Sequence, residues 1–279
     1  MDQSLPPGLY IVATPIGNLG DMTSRAAETL RRADLILAED KRVSAKLLAH
    51  IGAKAPMMAY HDHSDDRLRQ RILDDLATKA VALVSDAGTP LISDPGYKLV
   101  RAARKAGLAV HTLPGPSAAI AALTLAGLPT DRFLFLGFLP AKAKARSEAI
   151  TEIASVRASL VLYESGPRLG ESLAALRDGL SQREAAVVRE ISKLHEETVS
   201  GTLAELAERY AANQPKGEIV IVVGPPPERQ EASDDELDDA LRAALASMSP
   251  SRAAADVAGS LGIPRKRAYA RALEIGGER

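Results

Sequence analysis

Residues 80–96 read AVALVSDAGTPLISDPG. The first five, Ala80 to Val84, are apolar without alternation, which is the pattern of a strand covered on both faces of its sheet. They open into a loop that holds two carboxylates (Asp86, Asp94), two glycines (Gly88, Gly96) and two prolines (Pro90, Pro95). Glycine lets a ligand approach the backbone closely, and proline presets a turn and lowers the entropy of the free loop. Open α/β sheets bind ligands beyond the carboxyl ends of their strands. The segment therefore predicts both a fold class, α/β, and the place of a site.

Working outward, the first half repeats the arrangement. Residues 8–13 (GLYIVA) form a β-rich run closed by Thr14, Pro15 and Gly17, with helical spacing from Thr23. Residues 35–38 (LILA) read as a buried strand followed by Glu39-Asp40-Lys41-Arg42 and a helix at 43–50. Residues 66–79 and 97–106 are helical, 109–113 a strand, and 117–126 an Ala-rich helix entered through Pro114-Gly115-Pro116. Alternating β and α units predict a mainly parallel sheet.

The second half differs in texture. Strands are expected at 133–138, 160–163, 185–188, 197–200 and 219–223, with helices at 146–156, 167–177 and 203–212. Leu128-Pro129-Thr130 reads as a lobe junction and Gly224-Pro225-Pro226-Pro227 as the start of a stiff polar linker. The expected organisation is an N-terminal α/β lobe (1–128), a C-terminal α/β lobe (129–227) with a cleft between them, and a small helical module (233–279). In the tail, Leu237, Leu241 and Leu245 recur at helical spacing, and Gly262-Ile263-Pro264 breaks into a helix with Arg265, Lys266, Arg267 and Arg271. That outline fits a helix-turn-helix and equally a solvated three-helix cap.

Composition narrows the function classes. Of 279 residues, 46% are hydrophobic and 25% charged, as in ordinary soluble proteins. There is no Cys, which removes disulfides, thiolate catalysis and the commonest structural zinc sites. No apolar stretch is long enough to span a bilayer, and the N-terminus lacks a signal-type core, so a cytoplasmic protein without metal or membrane is expected. A net charge of −1 gives no basic field, so any RNA must meet a local patch. Aromatics are only 3% with no Trp, so a ring-stacking platform has few residues to draw on. Neither GxGxxG, nor a P-loop, nor a G-x-S-x-G elbow is present, which disfavours nicotinamide enzymes, P-loop hydrolases and α/β hydrolases.

Several side chains carry two readings each. His61 and His63 flank Asp62, but a metal would need a third ligand, and such a pair otherwise serves hydrogen bonding. Glu164 in LYES closes a strand and either serves an active site or caps the helix after it. Arg189-Glu190 and residues 193–197 form surface salt bridges or a substrate rim. Lys142, Lys144 and Arg146 form a mobile basic loop, suited to phosphates or merely solvated.

Taken in order, residues 13–42 (ATPIGNLGDMTSRAAETLRRADLILAEDKR), VSDAGTPLISDPGY, LPGPSAAIAAL, GLPTDRFLFLGFLP, LYES, REISKLHEE and KGEIVIVV resemble the tetrapyrrole-methylase-like (class III) S-adenosylmethionine methyltransferases. The likeness is to the members that methylate ribose in small-subunit ribosomal RNA. It runs from about Leu9 to Val223, and the tail resembles the helical module often appended there. It implies two α/β lobes holding S-adenosyl-L-methionine between them, homodimerisation and no metal. It also implies 2′-O-methylation of a cytidine in the decoding region of 16S rRNA, position 1402 in the usual nucleotide numbering, on the small ribosomal subunit. Cofactor contacts carry over onto Pro15, Ser85, Asp86, Ala87, Gly88, Leu91, Ile92, Ser117 and Ala118, with Tyr163 and the KGE segment closing the other side. Lys41 stands where the family usually has Thr, and Gly166-Pro167 departs from the usual YES-x-H-R. Two rivals keep the fold: carbon methylation of a tetrapyrrole, and a non-catalytic rRNA-binding module.

Methyl transfer from a sulfonium is an in-line displacement, and alignment alone supplies roughly 7–11 kcal/mol in favourable models. A base that eases loss of the hydroxyl proton adds about 10²–10⁴-fold. Positive charge on sulfur disappears during transfer, so a carboxylate tight against it favours the reactant; acids are expected further out. On the implied chemistry, Asp40, Glu39, Glu164 and His63 are candidates beside the nucleophile, and Lys193 a candidate for holding phosphate or stabilising alkoxide.

Overall fold

The computed structural model describes residues 4–61, 65–212, 214–227 and 233–277. It divides into two compact units, Met1–Pro226 and Pro227–Arg279.

The larger unit contains two five-stranded sheets. The first comprises β1 (Gly8–Val12), β2 (Leu35–Ala38), β3 (Met57–Ala59), β4 (Ala80–Val84) and β5 (Val110–Leu113) in the order β3-β2-β4-β1-β5, every neighbour parallel. Helices α1 (Ser24–Arg32) and α2 (Lys41–Ile51) cover one face through Ala26, Leu30, Leu47 and Leu48. Helices α3 (Asp66–Leu76) and α4 (Tyr97–Lys105) cover the other through Ile72, Leu76, Leu99 and Ala103. Side chains of β4 enter both cores, Ala80, Ala82 and Val84 one and Val81 and Leu83 the other, which is why its sequence does not alternate. The chain leaves β1 toward α1 and β4 toward α4, on opposite faces. The topological switch thus falls between these two adjacent strands, where a crevice opens. The short edge strand β3 has no counterpart in the sequence reading.

Helix α5 (Ala118–Leu125) leads onto the second sheet, where Ala119, Ala122 and Leu123 pack on Val161, Ala186, Val188, Val220 and Val222. That sheet comprises β6 (Phe133–Phe138), β7 (Ser159–Ser165), β8 (Glu184–Arg189), β9 (Glu197–Thr202) and β10 (Glu218–Val223) in the order β6-β7-β10-β8-β9. Only β6 and β7 pair in parallel. Its far face carries α6 (Ala143–Ile153), α7 (Gly166–Leu180) and α8 (Leu203–Tyr210), through Ile150, Leu169, Leu173 and Leu206. α8 opens on a capping box in which Thr202 and Glu205 satisfy each other's backbone.

The basic loop expected at 142–146 is a helix start instead. Arg146 is only 7% exposed, with Nη1 on the Ala141 carbonyl (3.5 Å) and Nη2 on Glu171 (3.3 Å). Its charge is committed to holding α6 on α7, and Lys144 faces Glu148 on the same helix at 3.8 Å.

The smaller unit is three helices, α9 (Asp234–Leu245), α10 (Pro250–Leu261) and α11 (Arg265–Gly277), around Leu237, Leu241, Val257, Ile263 and Ala268. Gly262, at φ 66°, makes the left-handed turn that ends α10. Two arginines of α11 face the acids of α9, while Arg265 donates to the Ser251 hydroxyl of α10 (3.3 Å). Arg271 grips Asp238 with two nitrogens (2.6 and 2.7 Å), Arg267 meets Asp234 at 2.9 Å, and Arg242 adds a third cation at 3.2 Å from Asp238.

Candidate active site

Three loops after parallel strands are knitted together at the switch point. Thr14 and Gly88 exchange backbone hydrogen bonds, Thr14 N–H to the Gly88 carbonyl at 2.8 Å and the reverse at 3.0 Å. Thr89 Oγ1 then donates to the Pro116 carbonyl at 3.2 Å. Gly88 holds φ +77°, open to glycine at little cost. Leu91 and Ser93 in the same loop, and Glu190 and Ser192 after β8, also take positive φ, between 53° and 74°. Each such residue costs on the order of 1–3 kcal/mol and persists only where its surroundings over-determine it, as they do at binding sites.

These loops face the second sheet across a cleft of about 340 Å³. Its apolar walls are Ile16, Ile92 and Ala118 on one side and Tyr163, Ile191 and Val220 on the other, with Phe138 at the edge. Carboxylates Glu39, Asp86, Asp94, Glu164 and Glu218 also line it. Burial holds the Tyr163 phenol above its usual value, against an opposing hydrogen bond from the Ala119 backbone.

The cleft brings together most of the residues singled out from sequence: Asp86, Ala87, Gly88, Ile92, Ala118, Tyr163, Glu39 and Glu164. Others support it from behind. Pro15 is buried beside Ile16. Ser85 is buried with its hydroxyl on the Ala87 carbonyl at 3.2 Å. Leu91 packs against the β4–α4 core. Ser117 is the N-cap residue of α5. Asp40 caps α2 through the Arg42 N–H (2.7 Å) and donates its own N–H to Asp86 Oδ1 (3.0 Å), so it orients a cleft carboxylate without lining the cleft. His63 lies outside the described residues.

Lys193 lies across Gly17, where a Cβ would fall 2.4–2.8 Å from its side-chain carbons. Its ammonium reaches Glu190 (2.8 Å) and Glu218 (2.7 Å). Burial pulls its pKa down, and those two carboxylates outweigh that and leave it raised. Next to it, Ser192 donates to Asp21. The two contacts clasp the two halves of the unit. Glu164, 4% exposed, accepts from the Ser165 N–H (2.8 Å) and the Ser172 hydroxyl, with Arg168 Nε 3.5 Å away. It anchors the first turns of α7 as much as it faces the cleft.

Asp94, from the loop after β4, and Glu218, from the KGE segment, also line the cleft, beside Ile191 and Val220, which the sequence alone did not single out. Burial pushes the Asp94 carboxyl up to about 6, against a hydrogen bond from Ser85, with the charges of Glu39 and Asp86 adding to the rise. Glu39 is likewise raised, by burial first and then by Asp86. Asp94 begins from 3.8 in a free chain and holds its proton up to about 6 in the folded one. The native state binds more protons inside that window, so stability falls as pH rises through it. Asp94→Asn is expected to raise unfolding free energy at pH 7.5 by about 1–2 kcal/mol, the shift being discounted for partial solvent exposure. It should also flatten the pH dependence between pH 4 and 6, as read by urea unfolding across a pH series.

Among the described residues no group of three His, Asp or Glu side chains is placed to hold a metal ion. Among them, too, no helix is long and apolar enough to cross a membrane.

Comparison with known proteins identifies the family. Residues 8–207 match the tetrapyrrole (corrin/porphyrin) methylases, and residues 231–276 match the RsmI C-terminal HTH domain. The ribosomal RNA small subunit methyltransferase I of Erythrobacter litoralis is 58% identical, over 98% of this chain and 97% of that one. Its namesake from Mesorhizobium japonicum is 46% identical over 97% and 93%. Among solved structures, a cobalamin biosynthetic cobalt precorrin-4 methyltransferase superposes with TM-score 0.58 at 20% identity, covering 77% of this chain and 94% of that one. Diphthine synthase does so with TM-score 0.61 at 16% identity, covering 77% and 89%. Likeness at that level shows the fold, whereas the curated relatives match along almost the whole length, cleft loops and tail alike. The chain therefore belongs to the tetrapyrrole methylase family, among the ribosomal RNA small subunit methyltransferases I.

Proposed function

We propose that the chain transfers a methyl group from S-adenosyl-L-methionine to the ribose 2′-oxygen of cytidine 1402 in 16S rRNA, acting on the small ribosomal subunit in the cytoplasm as a homodimer. The observation that carries the reading is 58% identity across 98% of the chain to a protein named for small-subunit rRNA methylation. Exposed Ile120, Leu125 and Phe133 offer apolar surface for association of two copies to cover. Tetrapyrrole methylation rests on the broad family match and on a fold shared at low identity, without a relative of high identity named for it.

The cleft fits the donor. Its aliphatic and tyrosine walls suit an adenosine, the left-handed Gly88 leaves the backbone open to close approach, and its carboxylates suit a cationic ligand. When bound, the donor supplies a methyl carbon already activated by a positively charged sulfur leaving group. The loops around Thr14, Gly88 and Pro116, bonded to one another, supply a rigid seat, and rigidity is what alignment needs. Glu39 and Asp94 are the groups the geometry favours for taking the 2′-hydroxyl proton: both line the cleft, and both have carboxyls raised toward the operating pH.

The test is incubation of methyl-labelled donor with small subunits from a strain lacking the modification, followed by nucleotide mapping. One label is expected, on the 2′-oxygen of the target cytidine; label on a base or at another nucleotide overturns the assignment. A chain ending at Pro226 should show at least a tenfold rise in KM for subunits with donor affinity unchanged. Unaltered KM would remove the tail from substrate capture.

A further inference from the structure

We infer that Phe138 is the platform on which the pyrimidine ring of the target nucleotide stacks when its ribose enters the cleft. The inference rests on the functional reading above and adds a residue for recognising the substrate.

The local geometry begins with a misfit in an alternating strand. β6 reads FLFLGF, and simple alternation would put Phe138 on the same face as Leu134 and Leu136, opposite Phe135. The pairing with β7 shifts between Phe135 and Gly137. Phe135 stands opposite Val161, Gly137 opposite Leu162, and Phe138 opposite Tyr163. Val161 and Tyr163 pack on the α5 side of the sheet, whereas Leu160 and Leu162 lie in the core under α6–α8. One extra residue therefore turns Phe138 out of the far core and onto the cleft face. Re-aiming a side chain beside a site is a recurrent use of a β-bulge.

The ring so placed is 55% exposed and lines the cleft. Its mount is firm on both sides. Gly137 takes φ +63°, and a Cβ there would come within 3.0 Å of Ser93 Oγ, so the bulge sits directly against the loop that carries Asp94. On the other side Arg168 Nη2 holds the Leu139 carbonyl at 2.6 Å, and Leu139 is buried. Tyr163 braces the ring edge-on, with centroids 5.7 Å apart and planes at 66°, which leaves a face of Phe138 free of that contact.

A stacked nucleotide cannot bring its sugar into a 340 Å³ cleft between two sheets. The nucleotide must swing out of its strand, and its base then loses both stacking neighbours. An exposed aromatic face at the cleft edge replaces one of them. The chain has three Phe and no Trp, and Phe135 and Phe133 do not line the cleft. Stacking of this kind is insensitive to base identity, so Phe138 would act on capture and positioning rather than on sequence choice.

The experiment compares the wild type with Phe138→Ala and Phe138→Trp. On small subunits, Ala should lower kcat/KM roughly 10–100-fold and Trp should restore most of it, the range expected for loss of one base stack. Calorimetric affinity for S-adenosylhomocysteine should stay within about twofold in all three proteins. Subunits rebuilt with the target base removed and its ribose kept supply the decisive arm. The wild type should lose a comparable factor on them, and Phe138→Ala should lose little more. If Ala weakens S-adenosylhomocysteine binding as much as turnover, the ring holds the donor and the inference is wrong. Equal losses on intact and base-less subunits overturn it as well. A wild type that labels no subunit at all fails the functional reading instead.

Discussion

Gly88→Val is expected to lower affinity for S-adenosylhomocysteine at least a hundredfold while the protein remains folded. Gly88 sits at φ +77°, which a β-branched residue reaches only with strain. Its two backbone bonds to Thr14 tie the loops after β4 and β1, so the strain cannot relax without loosening the seat. A Cβ at this position would already lie 3.5 Å from Ile16, and valine's two methyls would extend from there at the cleft wall. A hundredfold loss corresponds to about 2.7 kcal/mol, within reach of strain plus lost contact. The sheet itself does not depend on this position, so far-UV dichroism should match the wild type, while the strain lowers the urea midpoint by the equivalent of about 1–3 kcal/mol and leaves the protein folded. Calorimetry showing unaltered affinity would remove the loop from the binding site.

Glu164→Ala should act on folding first. Its carboxylate is buried, with the Ser165 N–H on one oxygen, the Ser172 hydroxyl on the other and Arg168 close by. Truncation strands those partners where β7 passes into α7, a loss of about 2–4 kcal/mol for a buried, hydrogen-bonded acid. Urea unfolding measures it directly. A wild-type midpoint combined with abolished methyl transfer would make Glu164 a participant in the chemistry instead of an anchor for α7.

What could be read in advance follows from which forces leave a trace in sequence. Burial on both faces leaves one in AVALV, and the position of the loop after it followed. The alternating units of the first half gave the parallel sheet for the same reason. β3 left none: Met57-Met58-Ala59 has no β-branched residue and exists through backbone pairing with β2 at the sheet's edge. The start of α6 leaves no signal because Lys142 offers no side-chain cap, and the burial of Arg146 depends on Glu171, far along the chain. Within the site, Asp86 and Asp94 look alike in sequence. Only tertiary burial, silent in the sequence, lifts the carboxyl of Asp94 to about 6. The shift of register at Gly137 is equally silent, since FLFLGF reads as a plain strand. Asp40 and Glu39, adjacent in the chain, part company at the strand end, one turning to cap a helix and the other facing the cleft.

In the tail, Arg242, Arg267 and Arg271 are each matched to an acid of α9. With those three guanidinium groups engaged, Arg252, Arg265 and Lys266 are, among the described residues, the cations the module keeps for displacing condensed counterions from a polyanion. Any grip of this module on a polyanion should therefore fade less steeply with ionic strength than its full count of basic residues implies.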